Sequence, residues 1–367
     1  MGLKAGIVGL PNVGKSTLFS GLTRMRAESA NYAFTTIEPN TSIVELNDKR
    51  LTKLANMVNT QKTIKATFEF VDIAGLVAGA SKGEGLGNKF LANIREVDLI
   101  VHVVRCFENK DILHVANSVD PIRDFETINL ELIFADMQTL ENVLSRIAKR
   151  AQNTQDKKLL KEVEIVNKVM QAFKEEKMAW EIDLDEEEKK ILKGYQLLTL
   201  KPMIIVANVA SKHAANPELD PNFLRIRELA NKKNMKVVPL SVEIETEISF
   251  LNEEEKEMFL AEYNLKTSGL DNLTRTAFDN LNLATYFTVG EKETRAWVFK
   301  KGMLTPECAG IIHNDFEKHF IKAEVIAYDD FINCGGEKEA RDAGKMRLEG
   351  KTYIMKDGDI CNFKIGK

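Results

Sequence analysis

Gly9-Leu10-Pro11-Asn12-Val13-Gly14-Lys15-Ser16 is a complete G-x-x-x-x-G-K-S motif. An apolar run, 3–8, leads directly into it, and a helix-like run, Thr17 to Thr23, follows. Strand, glycine-rich loop and helix in that order form a cradle for phosphate. The glycines let the backbone wrap an anion, and loop N–H groups and the helix N-terminus face the negative charge. Lys15 is expected to reach the β/γ-phosphates and the Ser16 hydroxyl to ligate Mg²⁺. A glycine-rich turn that binds nothing is the bland alternative, and the strand–loop–helix context argues against it.

Four further runs, 66–71, 98–104, 203–207 and 236–240, share the Val- and Ile-rich, non-alternating pattern of buried parallel strands. Together the five predict an α/β fold with a doubly wound, mostly parallel sheet. The connection over 129–200 is too long for one crossover. Leu140, Val143, Leu144 and Ile147 recur at helical spacing, as do Leu159, Val163, Val166, Val169, Met170 and Phe173, with neither Pro nor Gly from 129 to 193. This pattern predicts an antiparallel, coiled-coil-like helical hairpin, with Asp183 to Glu188 at its distal turn or at the start of the returning helix. After about 282 the chain becomes β-rich, with runs 285–289, 295–299 and 322–327. Tyr353–Met355 and Ile360–Phe363 flank the turn Lys356-Asp357-Gly358-Asp359, a hairpin signal. The expected domains are 1–128 with 201–282, the hairpin 129–200, and a small α+β domain 283–367.

Composition removes other classes. The 367 residues carry 51 Lys and Arg against 55 Asp and Glu, a net charge of −4, which argues against a chain held to nucleic acid by bulk charge. Cys106, Cys308, Cys334 and Cys361 are scattered without zinc or disulfide spacing, which fits a reducing compartment. No apolar run approaches the about 18 residues of a membrane span, and strand-like residues begin too early for a signal peptide. A cytoplasmic protein that makes no use of a membrane is expected.

Downstream pieces follow in the order a P-loop switch needs. Thr36, next to Thr35 in a polar segment, could close over Mg²⁺ and the γ-phosphate. Asp72 closes the second strand in Asp72-Ile73-Ala74-Gly75, which puts a carboxylate near Mg²⁺ and the Gly75 N–H near the γ-phosphate. Gly79 through Gly87 holds four glycines in what should be a mobile switch. Leu76 stands where switch enzymes commonly place a water-orienting Gln, so hydrolysis should be slow or rely on another group. His102, inside an apolar strand, reads as a core residue, whereas His114 in the polar stretch after Glu108 is the better candidate.

The base site follows the fourth strand as Asn208-Val209-Ala210-Ser211. Guanine-specific P-loop proteins carry N-K-x-D there, and the Asp accepts from guanine N1–H and the exocyclic amine. Val209 and Ser211 replace that Lys and Asp, so guanine selectivity should be lost. Asn208 can still donate and accept at a purine edge, and Ser241 and Val242 after the fifth strand could help from their backbone. Asn12 could offer a carbonyl oxygen to a monovalent cation beside the phosphates.

With these residues in hand the chain resembles the Obg-like ATPases, the YchF subgroup of the translation-factor-related P-loop GTPases. The likeness runs through Gly9–Ser16, Asn31-Tyr32-Ala33-Phe34-Thr35-Thr36-Ile37-Glu38-Pro39-Asn40 and Asp72–Gly75. It continues through Gly83-Glu84-Gly85-Leu86-Gly87-Asn88, His102-Val103-Val104-Arg105-Cys106-Phe107 and Asp120-Pro121 into a C-terminal segment similar to a TGS domain. The resemblance implies a Ras-like domain interrupted by a helical hairpin, then a ubiquitin-like β-grasp TGS domain. It implies ATP preferred over GTP, Mg²⁺ dependence, K⁺ stimulation, and a ribosome partner, mainly the large subunit. Asn12 through Thr17 would form the phosphate cradle, Ser16 and Thr36 would ligate Mg²⁺, and His114 would orient water. The family usually has N-x-x-E at the base site, and Ser211 departs from it, which leaves dual use of ATP and GTP open.

Arg146, Lys149, Arg150, Lys157, Lys158 and Lys161 are expected on the first hairpin helix, either as a solvated face or as an arm contacting rRNA or tRNA. The exposed face of the β-grasp sheet could hold a protein partner. The favoured reading is a slow, monomeric ATPase acting as a ribosome-associated switch. The alternatives are a GTPase or dual enzyme, and a nucleotide-gated scaffold that barely hydrolyses.

Overall fold

A computed structural model describes residues 3–29, 40–73 and 86–366. Its strands are β1 (Lys4–Val8), β2 (Thr41–Glu45), β3 (Thr63–Ile64), β4 (Thr67–Asp72), β5 (Leu99–Arg105), β6 (Met203–Asn208), β7 (Lys236–Leu240), β8 (Leu283–Thr288), β9 (Thr294–Lys300), β10 (Phe320–Ile326), β11 (Arg347–Glu349) and β12 (Ile360–Ile365). The helices that matter for the argument start with α1 (Lys15–Ser29), α2 (Lys49–Met57), α3 (Leu86–Arg95), α4 (Pro121–Thr154), α5 (Lys157–Lys174) and α6 (Glu186–Lys193). They continue with α7 (Pro221–Lys232), α8 (Val242–Ile248), α9 (Glu253–Glu262), α10 (Gly269–Asn280), α11 (Thr305–Ile312), α12 (Asn314–Lys318), α13 (Tyr328–Cys334) and α14 (Glu337–Asp342). The chain divides into two compact units, one of residues 1–42 and 69–273, the other of 43–68 and 274–367.

One six-stranded sheet has the order β2-β4-β1-β5-β6-β7, with β1, β5, β6, β7 and most of β4 in the first unit. Pairing is parallel from β4 through β1, β5 and β6 to β7. All seven residues of β5 and all six of β6 are buried, which explains why these runs lack polar alternation. β1 is flanked by β4 on one side and β5 on the other, so the order reverses around it. Open α/β sheets bind ligands at such a switch point, beyond the carboxyl ends of the strands, and the glycine-rich loop leaves β1 there.

The helical hairpin forms, but with other bounds than its sequence suggests. α4 already starts at Pro121, where Asp120 caps it by accepting from the N–H groups of Ile122 and Arg123. Its Leu140 and Val143 are buried, as are Val166, Val169 and Phe173 of α5. The turn lies at Gln155-Asp156, where Gln155 is left-handed and Asp156 caps α5. The acidic stretch expected at the distal turn instead caps and opens α6: Asp185 and Glu188 form a reciprocal capping box. The basic residues also divide, Arg146, Lys149 and Arg150 on α4 and Lys157, Lys158 and Lys161 on α5.

In the second unit the order is β11-β10-β12-β8-β9-β3. β8 and β9 form an antiparallel hairpin, β12 runs parallel to β8, and β10 is antiparallel to β12. This is the β-grasp arrangement. Tyr353–Met355 does not pair with β12 as the Asp-Gly signal suggested; Ile354 makes only an isolated bridge to Leu304. Adjacent residues of each strand enter different cores. Tyr286, Val325 and Cys361 pack with Cys308 and Ala309 of α11, whereas Phe287, Ile326 and Ile360 pack with Leu51 and Leu54 of α2 and with Phe331 and Ala340. A sheet covered on both faces needs a second layer, and 43–68 supplies part of it. This segment belongs to the C-terminal unit, not with 1–42 as its place in the chain suggests. Arg50 fastens it there by donating to Asp357 at 2.9 Å and to Thr285 Oγ1 at 3.1 Å.

One buried carboxylate closes the base of the hairpin. Asp136 on α4 is fully buried and accepts from Leu198 N at 3.0 Å, Thr199 N at 2.8 Å and Thr199 Oγ1 at 2.6 Å. Asp136→Ala leaves those donors unpaired and should cost about 3 kcal/mol. Chemical denaturation followed by circular dichroism should show the loss, and Asp136→Asn should recover part of it.

Candidate nucleotide site

The glycine-rich loop is shaped by two close approaches. Gly9 has φ +152°, and a Cβ there would lie 2.4 Å from Val103 O. Gly14 has φ +101°, and a Cβ would lie 2.5 Å from Asn208 Nδ2. Side chains at either position would push the loop off β5 or β6. Asn12 is itself left-handed, at φ 61°, and its Nδ2 donates to Leu113 O at 3.1 Å. Ser16 and Thr17 are exposed in the first turn of α1.

Lys15 is 8% exposed and curls back to donate from Nζ to Leu10 O at 2.7 Å. Burial lowers its pKa to about 8, against the opposing pull of Asp72. Burial raises the Asp72 carboxyl above its ordinary value, and the Lys15 charge holds it back. A buried ammonium and a half-buried carboxylate in one neighbourhood suit an anion and a cation together. For Mg²⁺, a hard cation that keeps several waters and takes one or two protein oxygens beside substrate phosphates, Asp72 with the Ser16 hydroxyl is an adequate donor set. Among the described residues no group of three His, Cys, Asp or Glu side chains could hold a metal alone, so the phosphates would complete such a site.

Asn208, buried at the end of β6, ties two loops together. Its Nδ2 donates to Val13 O at 3.0 Å, and its Oδ1 accepts from Val242 N at 3.1 Å. The carbonyl expected to accept from a purine therefore already holds one hydrogen bond, and one amide N–H is left for a base. Val209 is buried, with its N–H donated to Leu240 O at 2.9 Å. Ser241 is 2% exposed and caps α8. Ser211 Oγ stands 3.1 Å from Ser241 Oγ and 2.5 Å from Glu243 Oε2.

The two histidines part company. His102 is fully buried, stacks on Phe125 with centroids 5.1 Å apart, and is driven down to about pKa 3 by burial and then by Lys15. It is a neutral core residue. His114 is 7% exposed; its Nε2 lies 2.8 Å from Asp124 Oδ2, and its Nδ1 accepts from Ala116 N at 3.1 Å. Nδ1 as acceptor leaves the proton on Nε2, directed at Asp124. The preceding loop is folded by Arg105, whose guanidinium donates to the carbonyls of Phe107, Asn109 and Ile112. Neither Arg105 nor Asp124 stood out by chemistry in the sequence; Asp124, in the first turn after the Asp120 cap, reads as ordinary helix-start composition.

Thr36, Gly75, Leu76 and most of the glycine-rich stretch lie outside the described residues, and Leu86 and Gly87 open α3. The structure therefore assembles Gly9, Asn12, Val13, Gly14, Lys15, Asn208, Ser241 and Val242 around one loop, with Asp72 coupled to it electrostatically.

Comparison with known proteins settles the family. A family model described as 50S ribosome-binding GTPase matches residues 4–134, and one described as YchF-GTPase_C, protein of unknown function, matches 283–366. The chain is 54% identical over 364 residues to the ribosome-binding ATPase YchF of Bacillus subtilis, covering 99% of both chains. The chain belongs to the YchF family. It is 50% identical over 364 residues to the protein of that name in Escherichia coli O157:H7. The solved YchF GTPase of Schizosaccharomyces pombe superposes with a TM-score of 0.90 at 37% identity, covering 99% of this chain and 97% of that one. YchF membership accounts for both units at once.

The lowered Lys15 pKa sets a pH dependence. Phosphates beside the ammonium raise its pKa, so binding takes up a proton at pH values above about 8. Triphosphate affinity should be flat below that pH and fall about fivefold between pH 8 and 9. Calorimetry in buffers of different ionisation heat should register the proton; a flat profile with no uptake would contradict the assignment.

Proposed function

We propose that this chain is a slow, Mg²⁺-dependent ATPase that binds ribosomes and uses ATP in preference to GTP. The observation that carries this reading is the preformed cradle: Gly9 and Gly14 in glycine-only geometry, Lys15 buried at their centre, and Asn208 locking the loop to the base side. The names of its YchF relatives, which describe ribosome-binding ATPases, point the same way. A ribosome partner fits a cytoplasmic protein, and no helix among the described residues is long and apolar enough to cross a membrane.

The residues divide the work as follows. Loop N–H groups and the N-terminus of α1 meet the phosphates, and Lys15 leaves Leu10 O to pair with the β/γ oxygens. Ser16, Asp72 and Thr36 would hold Mg²⁺, which when bound neutralises developing phosphate charge. The Gly75 N–H would mark the γ-phosphate. The Asn12 carboxamide oxygen would serve K⁺, since among the described residues the side chain is engaged through Nδ2, with Leu113. His114 would orient the attacking water, but both its nitrogens are occupied and its ring is buried. It can act only after freeing one ring nitrogen, from Ala116 or from Asp124, which is a physical reason for slow intrinsic turnover. The same observation favours a second reading, a nucleotide-gated scaffold in which hydrolysis is negligible.

Contacts with the large ribosomal subunit, through rRNA or tRNA, would come from the hairpin. Lys149, Arg150, Lys157 and Lys158 are exposed around its tip, whereas Lys161 is paired with Glu187. The β-grasp unit, by its likeness to a TGS domain, would add a second contact, and the chain would act as a monomer.

Nucleotide affinity and turnover for ATP and GTP, measured in K⁺ and then in Na⁺ with Lys15→Ala as blank, test the reading. ATP should bind several-fold more tightly, with slow hydrolysis that K⁺ accelerates. Equal or better use of GTP would overturn the ATP preference, and binding without turnover in either salt would favour the scaffold.

A further inference from the structure

Ser211 occupies the position where a guanine-reading P-loop protein presents a carboxylate, and a neutral hydroxyl cannot replace that charge. A carboxylate is nevertheless present. Glu243, in the first turn of α8, reaches across so that its Oε2 lies 2.5 Å from Ser211 Oγ. The Ser211 hydroxyl is itself 3.1 Å from Ser241 Oγ, whose position is fixed by capping α8. Ser241 donating to Ser211, and Ser211 to Glu243, gives a short relay that orients one exposed carboxylate at the base-side loops. Both loops are already joined through Asn208 and Val242.

We infer that Glu243, held by Ser211, is the base-reading carboxylate of this chain and selects adenine. The inference rests on the nucleotide site proposed above and names what determines its specificity. Ser211 engages Oε2 and fixes the orientation of the carboxylate, which leaves Oε1, among the described residues, as the oxygen with both lone pairs open to the base. Adenine offers one donor on its six-membered edge, the 6-amine, and satisfies that oxygen. Guanine places a carbonyl at the same position, which repels a carboxylate, and its two donors at N1 and the 2-amine need two acceptors side by side. Monodentate reading therefore favours adenine, where the bidentate Asp of N-K-x-D favours guanine. A carboxylate that moves from residue 211 to residue 243 preserves the charge while changing the element that carries it.

The test uses ATP and purine riboside triphosphate, which is ATP without its 6-amine, against the full-length chain. The wild type should bind ATP about tenfold more tightly, the size of one charge-assisted hydrogen bond. Glu243→Ala should close that gap to within twofold, and Ser211→Ala should narrow it, because the carboxylate is no longer held. The double variant Ser211→Glu with Glu243→Ala should reopen the gap by restoring a carboxylate on the other loop. A gap unchanged in Glu243→Ala would overturn the inference, as would equal loss of both ligands, which marks a merely structural residue. A wild type that binds both ligands equally overturns the inference alone. One that binds neither overturns the nucleotide site as well.

Discussion

Two hydrogen bonds from one buried side chain organise this site. Asn208 donates to Val13 O in the glycine-rich loop and accepts from Val242 N at the start of α8. Each bond joins loops far apart in sequence, and each lies where water cannot compete. A buried carboxamide with both groups satisfied rigidifies its surroundings, and the loss of either partner leaves an unpaired polar group. Gly14 must be glycine largely because Asn208 stands 2.5 Å from where its Cβ would be. The phosphate cradle and the base-side loops are therefore tied into one unit.

Charge inside that unit is arranged to respond to an anion. Lys15 is poorly solvated and, among the described residues, held by one neutral carbonyl, so its ammonium gains a great deal from a phosphate and loses little by leaving Leu10. Asp72 lacks solvation in the same way and gains from a cation. His102 stays neutral beside them, so the floor of the site adds no positive charge. The loop that carries His114 is closed by other groups. Arg105 gathers three carbonyls to fold the loop that carries His114, and Asp124 holds the ring.

Much of this was legible in the residues. All five expected strands form, although β4 and β7 alternate buried with more exposed residues where continuous burial was expected, and the phosphate loop follows from one octapeptide, because these signals are local. The hairpin faces were also readable, since Leu140, Val143, Val166 and Val169 keep helical spacing. What failed was non-local. The tip of the hairpin at Gln155-Asp156 carries no Gly or Pro, and the acidic cap of α6 imitates a turn. The hairpin expected across Asp-Gly after Met355 does not form, because β12 already pairs along one edge with β8 and along the other with β10. Residues 43–68 read as part of the first domain because only the packing of Leu51 and Leu54 beneath a distant sheet reveals otherwise. At the site, the sequence marks Asn208 for the base but carries no sign of its tie to Val13, and nothing nearby in sequence links Glu243 to Ser211.

The central claim is that Asn208 builds the cradle as well as facing the base, and binding of ATP and of inorganic tripolyphosphate to Asn208→Ala tests it most directly. The account predicts that affinity for both ligands falls together, by about tenfold or more, because the loop loses its tie. Tripolyphosphate bound as well as by the wild type, with only ATP weakened, would show that Asn208 reads the base and leaves the cradle to itself.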